Sequence, residues 1–283
     1  MENRALTLMG AVGIVIGIFC TAVMGARHGA PIPPEGDLHK AAAFDIAVGV
    51  YLVTLALLLP SAGFSERGRK RWVGWNVGLF TYAFAIENIQ IFRGLDPRFS
   101  RVAGPLDQIL GGVFFLTALG TLVMFVIMTA KFFRRDRADR DSLVLLAIKY
   151  GSVAAFGAFG AGIWMSVIQG RVTGERGNIL PLHALGFHGL QAVPLVALLL
   201  VWSGSDQRDA RRWVHVTGIA WLIACAAVAM QTIAGRSIFD ASPAILVTAF
   251  VLTVWSAIAL FAFWRWARVP TPRGSPDISR TPT

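Results

Sequence analysis

A chain of 283 residues with 55% hydrophobic and only 15% charged residues, at a mean hydropathy of +0.61, does not have the composition of a water-soluble globule. Its net charge of +10 does not point to nucleic acid, because the basic residues fall mainly in alternate loops between apolar stretches. Cys20 and Cys225 both lie inside apolar stretches and read as packed residues, not as a disulfide or a metal pair.

Taken in chain order, the apolar stretches are Ala5 to Gly25, Ala41 to Gly63, Val73 to Phe92, Asp107 to Ala130, Leu143 to Gln169, Ile179 to Trp202, Trp213 to Ala234 and Pro243 to Trp264. Each approaches or exceeds the roughly 20 residues that carry a helix across a hydrocarbon core. A barrel would show ~10-residue alternating segments instead. The expectation is therefore an all-α polytopic integral membrane protein with eight transmembrane helices and lipid as its main surroundings. The first stretch exceeds the roughly 7 to 15 residues of a signal-peptide core, and no small-x-small cleavage site follows it, so it reads as a retained helix.

Orientation follows from the loops. Seventeen of the 26 Lys and Arg residues fall at the N-terminus, in Arg67–Arg71, Lys131–Arg140 and Arg208–Arg212, and beyond Trp264, whereas the alternate loops carry eight. Basic residues near span ends stay in the cytoplasm, which places both termini there, in an inner (plasma) membrane. Residues 1–268 then form one membrane domain, and 269–283, rich in Pro, Ser and Thr, a disordered cytoplasmic tail.

The two halves resemble each other. Arg71-Trp72-Val73 recurs as Arg212-Trp213-Val214, Leu57-Leu58-Leu59 as Leu198-Leu199-Leu200, and Gln90 and Gly94 as Gln231 and Gly235, all at an offset of 141. Further matches need gaps: Gly17 with Gly162 at 145, His39 with His183 at 144, and Ile109 to Thr117 with Ile245 to Thr253 at 136. This predicts a tandem 4+4 parallel repeat, units 1–141 and 142–268, related by an axis along the membrane normal. Gly13 and Gly17, and Ala154, Ala158 and Gly162, have the small-residue spacing of close helix packing.

Polar residues inside the spans carry the functional reading, since each costs free energy in hydrocarbon unless paired or wet. With cytoplasmic termini, Asp45, Asp107, His183, His188 and Gln191 enter from the outer face, and Glu87, Gln90, Gln169 and Gln231 approach it from below. Lys149 snorkels to the inner surface. Asp45 and Asp107 lie in first turns, where the helix dipole favours a carboxylate without any function. Glu87 lies near a helix C-terminus, where the dipole opposes it; it needs a proton or a counter-charge, for which Arg93, Arg98 and Arg101 stand in the following loop. Gln90 is one turn away on the same face.

Span six opens with the densest cluster: Asn178 as cap, Pro181 in the first turn, then His183, His188 and Gln191. His183 and His188 are roughly 140° apart around the axis, so this helix alone does not make a two-histidine metal site. His188 and Gln191 share a face near the bilayer centre, between Gly186 and Pro194, which frees the carbonyl of Leu190. Glu87 and His188 are thus the candidate catalytic groups. Gln90, Gln191, Arg93, Asp45, Asp107 and His183 are candidate substrate contacts. A carboxylate with an imidazole carries protons, holds a metal or hydrogen-bonds a quinone-like carbonyl, and the sequence does not select among these. A bis-histidine haem is disfavoured, because His28 and His39 lie in or beside a loop and His215 is at the opposite face.

No phosphate-binding glycine loop, GxSxG, CxxC or HExxH is present, and Trp72, Trp75, Trp164, Trp202, Trp213, Trp264 and Trp266 sit near span ends as interfacial anchors. Three readings stay open. The first is a membrane-embedded enzyme or redox and ligand-binding protein with an outward-facing site. The second is a proton-coupled small-molecule transporter, and the third a non-catalytic sensor or assembly factor of a membrane complex. The inner half offers few polar groups for a path to the second face, which ranks the outward-facing site first.

Overall fold

A computed structural model describes residues 2–134 and 143–269. Part of the basic Lys131–Arg140 loop and nearly all of the tail expected from Val269 lie outside the described residues. Eight long helices dominate the described residues: α1 (Glu2–Ala26), α2 (Leu38–Leu58, prolonged by a 3-10 turn over Leu59–Ala62), α3 (Glu66–Phe92), α4 (Pro105–Arg134), α5 (Leu143–Val167), α6 (Leu180–Trp202), α7 (Gln207–Ile233) and α8 (Pro243–Ala267). Seven of them are long and apolar enough to cross a membrane, which makes the chain a multi-pass membrane protein. The eighth, α3, is as long but falls outside that set. It opens with Glu66, Arg67, Arg69, Lys70 and Arg71 and carries Asn76, Glu87, Asn88 and Gln90 further on.

Helix starts follow local chemistry. Ser65 and Ser242 cap α3 and α8 by accepting from Gly68 N and Ile245 N, and Asp206 caps α7 by accepting from Arg208 N and Asp209 N. Prolines open α4 and α8, where a missing N–H costs nothing. Small residues let helices pair closely. Gly10 and Gly49 bring α1 and α2 so near that a Cβ on either would stand 2.7 or 2.6 Å from the other's carbonyl oxygen. In the second half Gly151 lies against the carbonyl of Gly189, and Gly186 against that of Ala154, which joins α5 to α6 in the same way.

Two short hairpins, invisible to a reading of apolar runs, close one end of the bundle. Between α1 and α2, β1 (Pro31–Ile32) pairs antiparallel with β2 (Gly36–Asp37), and between α5 and α6, β3 (Val172–Thr173) pairs with β4 (Gly177–Asn178). Each hairpin sits on the glycine that follows the next helix pair. Glu35 N donates to Gly94 O at 2.8 Å and Arg176 N to Gly235 O at 3.0 Å. Both glycines have positive φ, 81° and 68°. Leu38 N donates to Ala30 O and Ile179 N to Arg171 O; His28 and Gln169 both turn with positive φ. Every one of these equivalences has the offset of 141 seen in the sequence. Of the residues in the gapped pairings, Gly17 lies against Ala42 O and Ile46, while His183 bonds to Ala158 O.

The halves meet through aromatic packing. The Tyr51 ring meets Phe187 at 5.5 Å, and Phe125 meets Phe156 and Phe159 at 5.2 and 5.3 Å. A hydrogen bond at 2.8 Å joins the Gln191 amide to the Thr54 hydroxyl across the same seam.

Candidate functional site

Glu87 is fully buried, one helical turn before the hairpin end of α3. Of the three loop arginines that could answer its charge, Arg98 does: its Nη2 donates to Glu87 Oε2. The guanidinium is held between aromatic faces, 4.9 Å from the Phe44 ring centroid and 5.5 Å from that of Phe114, which favours a cation in place of water. The other carboxylate oxygen, Oε1, is buried and has no hydrogen-bond partner among the described residues.

A second buried acid stands alongside. Asp45, on α2, accepts from Asn88 Nδ2 at 3.2 and 3.0 Å, and Cys20 Sγ donates to Asn88 Oδ1 at 3.3 Å. Asn88 is the residue after Glu87, so α1, α2 and α3 converge on one polar core of two carboxyls and one guanidinium. Such a pair is weak evidence of stabilisation, since an apolar replacement of similar volume is often neutral; removal of one partner alone costs about 3–5 kcal/mol.

Hydrogen bonds lead from this core to solvent. Arg98 N donates to Asp96 Oδ1 at 2.9 Å, Phe99 N donates to the same oxygen at 3.1 Å, and Lys40 Nζ donates to Asp96 Oδ2 at 2.9 Å. Burial works against the Asp96 charge, but Lys40 and the backbone donors hold the carboxyl below its ordinary range. Asp96 and Lys40 line an open cleft of about 410 Å³, completed by Glu35, Phe99, Arg101, Gln169, Gly170 and Arg171. Glu35 accepts from Ser100 Oγ and from Arg101 N, and these bonds keep its pKa low. The cleft is thus formed by the first hairpin, the start of α2, the loop after α3 and the turn after α5.

The remaining candidates separate from Glu87. Gln90 and Arg93 belong to a neighbouring cluster, in which Gln90 Nε2 donates to Asp107 Oδ1 at 2.9 Å while Arg93 makes two bonds to the Asp107 carboxylate and one to Gln90 Oε1. Both Asp107 oxygens and both polar atoms of the Gln90 side chain are engaged, which ties α3 to α4. His183 is held by Nδ1, which donates to Ala158 O at 2.8 Å, with its ring edge-on to Phe187 at 4.9 Å. His188 is not brought to Glu87. It is exposed on α6 and its ring makes no hydrogen bond among the described residues, because Phe187 and Gln191 are the residues turned toward α2. Among the described residues no three His, Cys, Asp or Glu side chains gather as a metal site.

Reading the sequence for intramembrane acids missed Asn88, Lys40, Asp96 and Arg171. Asn88 had a signal, an amide inside an apolar run directly after Glu87. The others lie in loops, where only the path of the chain brings them to the site. No protein-family model matches this chain, and no curated protein or solved structure matches it either.

Proposed function

We propose that the chain is an eight-span inner-membrane protein with cytoplasmic termini and two tandem-related halves, whose hairpin end faces outward. The loop charge bias supports that orientation, and the hairpins seated on glycine at one common offset support the relation between halves. Its function in this reading is that of a membrane-embedded enzyme or redox or ligand-binding protein, with Glu87 as the reacting acid, Arg98 as its counter-charge, and Asp45 and Asn88 as supporting groups.

The observation that carries this is Glu87 Oε1, a carboxylate oxygen buried without a donor, since native structures rarely leave such a group unanswered unless a ligand or water completes it. An acceptor in that position calls for a ligand with an O–H or N–H, and a quinol hydroxyl is the redox-active member of that class. Two carboxyls to one guanidinium suit a site that exchanges a proton as its ligand binds. The test is thermal stabilisation of the protein in nanodiscs by a short-chain ubiquinol. Stabilisation in the wild type that is lost in Glu87→Gln supports the reading; no stabilisation, or the same stabilisation in the variant, refutes it.

A proton-coupled transporter is the second reading, favoured by the matched halves. Uptake into proteoliposomes that follows an imposed pH gradient and vanishes in Glu87→Gln would put it first.

A further inference from the structure

The cleft above the acid core has an unequal supply of donors and acceptors. Its two acids are fully used: Glu35 takes Ser100 Oγ and Arg101 N, and Asp96 takes Lys40 Nζ, Arg98 N and Phe99 N. Its two guanidiniums are not. Neither Arg101 nor Arg171 donates from its side chain to any hydrogen-bond or ion-pair partner among the described residues, yet both line the cleft. Arg171 is partly buried in the turn that enters the second hairpin, and its backbone carbonyl is fixed by Ile179 N at 2.9 Å, so the cation is carried on a held segment.

From this balance we propose that the cleft binds an oxyanion, the carboxylate or phosphate group of a ligand, with Arg171 and Arg101 as its two forks and Lys40 at its edge. Each guanidinium offers five N–H donors in a planar fork that suits two oxygens of one anion, and the two lie on loops from opposite halves, so an anion between them would bridge the halves. Burial and the charge of nearby Arg98 press on the Arg171 cation more than Asp96, Glu87 and Asp37 support it, which leaves room for a further anion. The proposal builds on the outward-facing site above and names the chemical class of its ligand.

Two sources supply such a group: a free solute and an anionic lipid headgroup. Inorganic phosphate is titrated calorimetrically into the protein in detergent, and phosphatidylglycerol is introduced into neutral nanodiscs while the unfolding temperature is followed. Binding of phosphate identifies a soluble anion, stabilisation by phosphatidylglycerol alone identifies a headgroup, and either supports the site. In both arms Arg171→Gln and Arg101→Gln each weaken binding by about tenfold or more. Arg171→Lys, which keeps the charge and loses the fork, falls between wild type and Arg171→Gln. Arg236→Gln, exposed at the same end but outside the cleft, leaves binding unchanged. An unfolding profile like the wild type's certifies each variant as folded. Absence of binding in both arms, or undiminished binding in folded Arg171→Gln, overturns the proposal. If ubiquinol no longer responds to Glu87 while phosphate still depends on Arg171, the acid reading fails and the cleft stands.

Discussion

In the tandem reading proposed above, the two halves of the bundle share a frame and furnish it differently. Position by position at the offset of 141, Glu87 stands where the second half has Val228, Asp45 where it has Gly186, Asn88 where it has Ala229, and Arg98 where it has Phe239. Both halves nonetheless seat a hairpin on a left-handed glycine and join their first two helices through small residues. If the halves are related as proposed, the frame forms in the second half with Val228 and Phe239 where the first has Glu87 and Arg98. On that reading the charges of the first half serve the chemistry proposed for Glu87, since hydrocarbon makes them costly and the second half does without them.

The largest expected effect comes from leaving one charge behind. Arg98→Met strands Glu87 in the core and should destabilise the protein by about 3–5 kcal/mol, measured as reversible unfolding in mixed micelles. A loss below about 1 kcal/mol would mean that the pair is not the buried interaction its geometry describes. Next come the glycine seats. A Cβ on Gly94 would stand 2.0 Å from Pro33 O, whereas one on Gly235 meets nothing nearer than Gly174 Cα at 2.9 Å. Gly94→Ala should therefore cost about 3 kcal/mol and Gly235→Ala about 1–2 kcal/mol, with hydrogen exchange rising in the hairpin each one supports. The reverse order would break the proposed equivalence of the two seats.

How much of this was legible beforehand depended on whether local or distant chain decided it. The helices could be read because length and apolarity are properties of a segment. That Glu87 needed a counter-charge could be read as well, because the dipole at the end of its own helix set the demand. Which arginine answered could not: Arg98 reaches it because the loop turns at Gly94 against Pro33 and Pro34, residues some sixty positions earlier. His188 shows the complementary limit. A helical wheel placed it with Gln191, but only the neighbouring helix decides which part of that face is covered. The hairpins are two residues per strand, too short to leave any periodic signal.

Smaller effects sharpen the contrast. Ser242 caps α8 and donates to Gln231 Oε1 at 2.6 Å, the second-half counterpart of the Gln90–Asp107 lock. Ser242→Ala should cost about 1 kcal/mol, seen as a modest fall in the unfolding midpoint. Acid offers the gentlest probe. Glu35 and Asp96 are held below their ordinary values in the folded chain, so their contribution is complete above the ordinary carboxylate range and is lost as pH falls through the depressed values. The second half has Arg176 and Ser237 at these positions. Hydrogen exchange on acidification should therefore quicken over residues 31–37 before 172–178; simultaneous loosening would remove the distinction.

The central claim, that the first half's buried charges serve chemistry and not folding, is tested most directly by giving that half the second half's residues. Glu87→Val with Arg98→Phe should unfold within about 1 kcal/mol of the wild type, because both charges leave together and apolar groups take their place. If the double variant instead fails to fold, or loses as much stability as Arg98→Met alone, the ion pair is part of the frame and the functional assignment of Glu87 loses its basis.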